Sequence, residues 1–253
     1  MILTAVRTHL PAALVTAQLD YLRALAPGSR FVACHGGRRA DFEDLPEGDA
    51  LWIEDPTLRG HHFDQSLNGT LRTLHEEIVE PDPSIDFVYL IEFDHLILGP
   101  GFEKPLLALA ERHDAGLLAK RAAPRNDTNW SHHLRYRDDP ALARFFRGIS
   151  RRDDPDVRFG SLGTAYFLRR DALAALAALE DPPPCYFELF VPTAAHHLGF
   201  RVVDVDAVSD LYATVRWVPE FSVAEALEAR AAGRLFVHPF KRLDDLAALD
   251  GAT

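Results

Sequence analysis

Apolar and polar positions along this chain alternate between a helical and a strand period. "MILTAV" (Met1–Val6) is a short apolar run that predicts a buried strand. Pro11, a favoured residue at a helix start, opens a helix whose apolar face runs through Val15, Leu19, Leu22 and Ala26. "APGS" closes it, and "RFVACHGG" predicts a second strand ending in a Gly-Gly turn. "ALWIED" predicts a third strand. "FDQSLNGTLRTLHEEIVE" predicts a second helix with Leu67, Leu71, Leu74 and Ile78 on one face, broken by "PDPS". "IDFVYLIEFD" (85–94) predicts a fourth, central strand. Strands apolar on both faces and separated by helices indicate an α/β fold, with a mostly parallel central sheet flanked by helices.

The second half is less regular. "GFEKPLLALAERHD" predicts a helix and "AGLLAKR" a strand. Residues 122–156 are polar, with one short helical piece at "PALARFFRGI", and such a stretch inside a compact fold is expected to be a functional loop or lid. "SLGTAYFLRRDALAALAALE" reads as a strand running into a helix, "CYFELFVPTAAHHLG" as a helix and "FRVVDVD" as a strand. "SVAEALEARAAG" and "RLFVHPF" predict a last helix and strand before a polar tail. No repeat and no linker divides the 253 residues, so one domain is expected.

The formal net charge of −11 argues against non-specific binding to nucleic acid or an anionic membrane surface. Two cysteines, Cys34 and Cys185, make neither a disulfide framework nor a CxxC knuckle, so a reducing cytoplasm is the expected compartment. The first residues lack a basic start, and Arg7, His9 and Pro11 interrupt them, so they do not read as a signal peptide. No apolar run reaches the roughly 18 residues of a transmembrane helix. Walker A, GxGxxG, GxSxG and HExxH patterns are absent, which disfavours an NTPase, a dehydrogenase, a serine hydrolase or a zinc protease.

Against that background "YLIEFDHLIL" (89–98) stands out, because Glu92, Asp94 and His95 interrupt a core-like run. Burying an unpaired carboxylate costs several kcal/mol, so these charges need a reason. On a strand, residues 92 and 94 share a face. Two carboxylates at the carboxyl end of a central parallel strand lie where open α/β sheets bind ligands. Hard cations such as Mg²⁺ and Mn²⁺ take one or two such carboxylates and complete their shell with water and phosphates. An ion-paired strand end facing solvent is the alternative.

These motifs, in this order, resemble the GT-A nucleotide-sugar glycosyltransferases, particularly the broad family-2-like group. Glu92-Phe93-Asp94 followed by "HLILGPGF" is similar to that family's D-x-D and the segment behind it, with Glu replacing the first Asp. The resemblance implies that Asp94 ligates a divalent metal, Mn²⁺ or Mg²⁺, and that Glu92 contacts the ribose or the metal through water. "SLGTAYFLRRDAL" resembles the segment bordering the acceptor pocket. "YFELFVPTAAHHLGFRVVDV" resembles the helix that carries the catalytic acid, here Glu188, and "VHPFK" resembles the late segment supplying a third ligand, here His238. The family usually ends its second strand in an Asp-rich sequence that reads the base, and His35 replaces that acid. Thr4, Arg7, Asp55 and Asn68 are further candidates for nucleotide contacts, with capping or surface roles as the alternative. The implied division is a nucleotide and metal half (1–98), an acceptor half (99–240) and a polar tail (241–253).

Sugar transfer from a nucleoside diphosphate needs a neutralised leaving group and a base for the attacking hydroxyl. Glu188, set in apolar "CYFELF", is the candidate base, and a base on the far side of the anomeric carbon from the diphosphate would imply inversion. An exposed helix start is its alternative role, as a hydrogen-bonded core histidine is for His238. The arginines at 144, 147, 151, 152 and 158 either bind an anionic acceptor or pair with nearby aspartates. In the pairs His61-His62, His132-His133 and His196-His197 adjacent side chains diverge, by about 100° on a helix, and chelate one ion poorly, so they read as solvated, except that His132 and His133 sit in the long polar stretch. Three rival functions remain: a sugar-phosphate nucleotidyltransferase, a retaining transferase, and an inactive binding or scaffold module of the same fold.

Overall fold

The computed structural model describes residues 1–54 and 67–250. Seven strands form the main sheet: β1 (Ile2–Thr8), β2 (Arg30–His35), β3 (Ala50–Trp52), β4 (Phe87–Glu92), β6 (Leu117–Pro124), β7 (Phe159–Arg169) and β8 (Val202–Asp204). Their order is β3-β2-β1-β4-β7-β6-β8. The other two, β5 (Leu96–Ile97) and β9 (Phe236–Val237), pair with each other outside it. All neighbours in the main sheet are parallel except β7, which runs antiparallel to both β4 and β6. The expected fold class, α/β with a mostly parallel central sheet flanked by helices, is the one observed.

Helices cover both faces. In chain order they are α1 (Ala12–Leu25), α2 (Arg39–Glu43), α3 (Asn68–Leu74, continued by a π-helical turn His75–Val79) and α4 (Glu103–His113). The later helices are α5 (Ser131–Tyr136), α6 (Pro140–Ile149), α7 (Arg170–Ala177), α8 (Phe187–His197), α9 (Val205–Val208), α10 (Val223–Ala231) and α11 (Leu246–Asp250). Alternation along β1 explains the two layers. Ile2 and Val6 join a core with α1 and α4, whereas Leu3 and Ala5 join one with α3, α7 and α8. No described helix is long and apolar enough to cross a membrane.

Two expectations need correction. The stretch 122–156 holds α5 beside the expected helical piece, α6, and it packs: Leu142 and Phe146 are buried, with the Phe146 and Phe190 ring centroids 5.8 Å apart across to α8. Asp139 caps α6 by accepting from the amides of Ala141 and Leu142 at 2.8 and 3.0 Å. The His-His pairs are not uniformly solvated either. His133 and His197 are buried on α5 and α8, because a helix turns one of two neighbours inward. His61-His62 lies outside the described residues.

An aromatic cluster supports β9. Phe236 is fully buried, with ring centroids 5.4 Å from His95 and Tyr212 and 5.8 Å from Tyr89. Phe236→Ala is expected to cost about 3–5 kcal/mol, and Phe236→Leu clearly less, measured as urea-unfolding free energies.

Candidate active site

β4 ends at Glu92, and the chain then turns, with the His95 amide donating to the Glu92 carbonyl at 2.9 Å. The predicted strand through Asp94 is therefore two residues too long. The turn, rather than strand alternation, brings Asp94 round beside Glu92. The strand order reverses between β1 and β4, where ligands bind in open α/β sheets. Arg7 and Glu92 face each other in register on the two sides of that crevice, with Arg7 Nη1 3.6 Å from the Glu92 carboxylate.

The small second sheet delivers the histidine. Leu96 pairs with Val237 and Ile97 with Phe236, so His238 emerges beside the turn that holds Asp94. The Phe240 amide donates to the Asp94 carbonyl at 2.8 Å and locks that arrangement. His238 Nδ1 lies 2.6 Å from the Arg216 carbonyl. A carbonyl only accepts, so Nδ1 carries the proton, and Nε2 faces Asp94 Oδ1 at 3.3 Å. Unless Nε2 is also protonated, that buried oxygen has no hydrogen-bond donor.

Glu92, Asp94 and His238 each offer a ligand atom, and these atoms lie within 4.8 Å of one another. Two carboxylates and an imidazole whose proton is held on the far nitrogen suit Mn²⁺ or Mg²⁺. The buried, donorless oxygen of Asp94 is the observation that fits such an ion. Burial raises the Glu92 pKa above the ordinary carboxylate value, Arg7 opposes this, and Asp94 adds to it. For His238, burial pulls the pKa down, but Asp94, the Arg216 carbonyl and Glu92 together outweigh burial and the net direction is up.

Glu188 is the second residue of α8 and only 5 % exposed, so the exposed helix-start alternative does not hold. Its carboxylate accepts from the Gly163 amide of β7 at 2.7 Å. A side chain at 163 would put its Cβ 2.2 Å from Phe187 Cε2 and 2.8 Å from Glu188 Cγ, so only glycine allows this approach. Burial pushes the Glu188 carboxyl up to about 8, the Gly163 amide opposes it, and Glu92 adds to it. Glu92, Asp94, His238 and Glu188 line one cavity of about 270 Å³, together with Thr164 and Trp217. A larger hollow of about 830 Å³ opens beside Ile2, Phe87 and Arg169, at the amino ends of β1 and β4, and contains none of the candidate residues.

The remaining candidates are placed elsewhere. Arg7 is outside the cavity lining, with its guanidinium 4.7 Å from the centre of the Phe187 ring, which does line it. Thr4 is fully buried in mid-strand, paired in register with Phe31 and Tyr89. His35 is fully buried, its Nε2 bonded to the Leu10 carbonyl at 2.9 Å and its ring beside Trp52. Asn68 donates to the Leu179 carbonyl at 2.9 Å and ties α3 to the end of α7. The structure brings none of these three to the cavity. Asp55 lies outside the described residues. The arginines expected to meet an anionic acceptor are not in the cavity lining. Arg147 pairs with Asp156, Arg152 donates to the carbonyls of His196, Gly199 and Phe200, and Arg158 to those of Pro155 and Val157. His95 is no ligand: it is buried beneath the site, shares a 2.8 Å hydrogen bond with the Tyr89 hydroxyl, and is kept neutral first by burial and then by His238. Thr164 and Trp217 are cavity residues that sequence reasoning did not single out. Thr164 lies inside the quoted "SLGTAYF", but only the fold shows its hydroxyl buried without a partner.

No family model and no curated protein matches the sequence. Among solved structures, the chain is similar to an active-site mutant of LgtC, at 13 % identity and TM-score 0.46, covering 100 % of this chain and 96 % of that one. It is similar to the apo structure of WbbM, a bifunctional glycosyltransferase, at 11 % identity and TM-score 0.47, over 100 % of this chain and 49 % of that one. A third is a glycosyltransferase involved in glycosylation of the major capsid of PBCV-1, at 12 % identity and TM-score 0.46, over 99 % and 100 % of the two chains. These are likenesses in the course of the chain and carry no residue roles across.

The His238–Asp94 pair has a signature in the metal-free protein. A histidine raised by its partner adds stability that is full below its unfolded pKa of about 6.5 and lost as pH rises through the folded value. Asp94→Asn is therefore expected to lower the His238 pKa, read by NMR titration. It is also expected to remove the part of the unfolding free energy that declines as pH rises above about 6.5.

Proposed function

We propose that this chain is a metal-dependent glycosyltransferase that moves a sugar from a nucleoside-diphosphate donor to an acceptor hydroxyl. One observation carries the reading: a buried carboxylate, Glu188, shares a cavity with the Glu92–Asp94–His238 ligand set beside the point where the strand order reverses. Asp94 and His238 would hold Mn²⁺ or Mg²⁺, with Glu92 assisting. Such an ion, when bound, neutralises the charge that develops on a departing diphosphate.

The chain's own residues supply the rest. Arg7 sits behind Glu92 and holds that carboxylate toward the crevice. In the proposed division, residues 1–98 take the nucleotide and 99–240 the acceptor. Glu188 receives the acceptor's hydroxyl proton as the acceptor oxygen bonds to the anomeric carbon and the bond from that carbon to the diphosphate breaks. With Glu188 on the face opposite the leaving group, the product is inverted. Product stereochemistry distinguishes this from a retaining transferase. The Gly163 amide fixes the carboxylate, and burial raises its affinity for a proton to a range useful near neutral pH.

Calorimetry with UDP and GDP, with and without Mn²⁺, is the direct test. Binding is expected to need the metal and to vanish in Asp94→Ala. Loss of nucleotide binding under every metal condition in the wild type would leave the scaffold-module alternative standing. Glu188→Gln should bind nucleotide as the wild type does and lose about 10²–10⁴-fold in turnover. A base must be deprotonated to act, so wild-type turnover is expected to climb with pH and level off above about 8.

A further inference from the structure

Four large apolar side chains are exposed among the described residues: Met1, Leu134, Trp217 and Val218. The last two are adjacent, 59 % and 65 % exposed, and both line the candidate cavity. Their loop is firmly held. The Arg216 amide donates to the His238 carbonyl at 3.0 Å, and Arg216 Nε donates to the Pro219 carbonyl at 2.7 Å. The Arg216 guanidinium lies 3.8 Å from the centre of the Phe221 ring and donates to Glu225 at 3.3 Å. Trp217 is thus a presented group on a braced loop. Holding an indole in water forgoes most of the benefit of burying it, which suggests that a ligand covers it.

We propose that Trp217 and Val218 form a platform for the apolar face of a pyranose acceptor, whose hydroxyl groups turn inward to Thr164 and Glu188. This rests on the transferase reading. A sugar ring combines a C–H face with polar edges, and the cavity offers the matching halves. The indole lies on its rim, and the Thr164 hydroxyl, 4 % exposed as a residue and without a partner, lies within. Two residues are too small a patch for a protein partner, which needs about 800 Å² per side. A nucleobase is disfavoured by position. The cavity is lined from Glu92 onward and includes Thr164 of β7, on the opposite side of β4 from β1 and β2.

Saturation-transfer NMR tests the platform, using methyl β-D-galactopyranoside, methyl β-D-glucopyranoside and methyl α-D-mannopyranoside with protein loaded with Mn²⁺ and UDP or GDP. At least one glycoside is expected to bind the wild type and Trp217→Phe, with the strongest transfer at protons of one ring face. Trp217→Ala should weaken that binding by about tenfold or more while keeping its nucleotide affinity and melting temperature. Thr164→Val should weaken it without altering which ring face is saturated. If the wild type binds nucleotide but no glycoside, or binds one that Trp217→Ala leaves unchanged, the platform falls alone. If Trp217→Ala loses nucleotide instead, the indole stacks on the base and the proposal is overturned. A wild type that binds neither UDP nor GDP sinks the transferase reading and the platform with it.

Discussion

The pairing of β5 with β9 is the constraint on which the candidate site depends. Two residues on each side, Leu96–Ile97 and Phe236–Val237, join parts of the chain that are far apart in sequence. So short a ladder has little stability of its own. It persists because Phe236 sits among Tyr89, His95, Phe102 and Tyr212, and because the Thr214 hydroxyl donates to the Phe236 carbonyl at 2.5 Å. The Tyr212 hydroxyl donates to that of Tyr89, which in turn bonds His95, so the polar atoms under the ladder are tied to one another. Remove that floor and His238 loses its position over Asp94, even though neither residue has been touched.

The charge balance above this floor is unequal. Glu92, Asp94 and Glu188 line one small cavity with Lys241, and Arg7 approaches Glu92 at 3.6 Å, yet burial outweighs these cations at Glu92 and Glu188. Carboxylates taken out of water without enough positive charge hold their protons more tightly, which is the direction found for Glu92 and Glu188. A fold selected for stability alone would place apolar side chains here, since exchanging buried charges for well-packed hydrophobic groups is often neutral or stabilising. The deficit becomes reasonable if a divalent cation completes the site. Asp94 Oδ1 then gains a partner beside a neutral His238, whose one proton is already on the nitrogen facing away.

Much of the sheet was legible from hydrophobic runs, because buried parallel strands need no alternation and helices announce themselves by period. β1, β2 and β4, α1 and α8 all follow from that pattern. What failed has physical causes. Periodicity does not report strand direction, so the antiparallel course of β7 went unread. Nor does it report how a polar stretch packs, which is why α5 went unread and why α6, though expected, was not expected to anchor the stretch through Leu142 and Phe146. Embedded charges pointed to Glu92 and Asp94, and the apolar setting of Glu188 pointed to its burial. Thr4, His35 and Asn68 sit at or near strand ends and helix starts in sequence, but each is used up by packing or by a carbonyl of its own. Trp217 carried no sequence signal, because an exposed tryptophan and a core one look alike on paper.

Arg216 connects these two kinds of residue. Its carbonyl fixes the His238 imidazole, its amide holds the His238 carbonyl, and its guanidinium leans on Glu225. Glu225 is itself half of the capping box that starts α10, its carboxylate accepting from the Ser222 amide at 2.8 Å while the Ser222 hydroxyl accepts from the Glu225 amide at 3.2 Å. A helix terminus thus braces a loop, and the loop orients a histidine from one residue while presenting an indole from the next. Sites that act on two groups at once need their parts held to within about half an ångström of the productive geometry, and shared bracing is an economical route to that precision. It also means that the two parts cannot drift independently. A shift in the segment 216–219 moves the rim of the cavity and the tautomer-setting carbonyl together, so the mouth of the site and its ligand set are mechanically one unit.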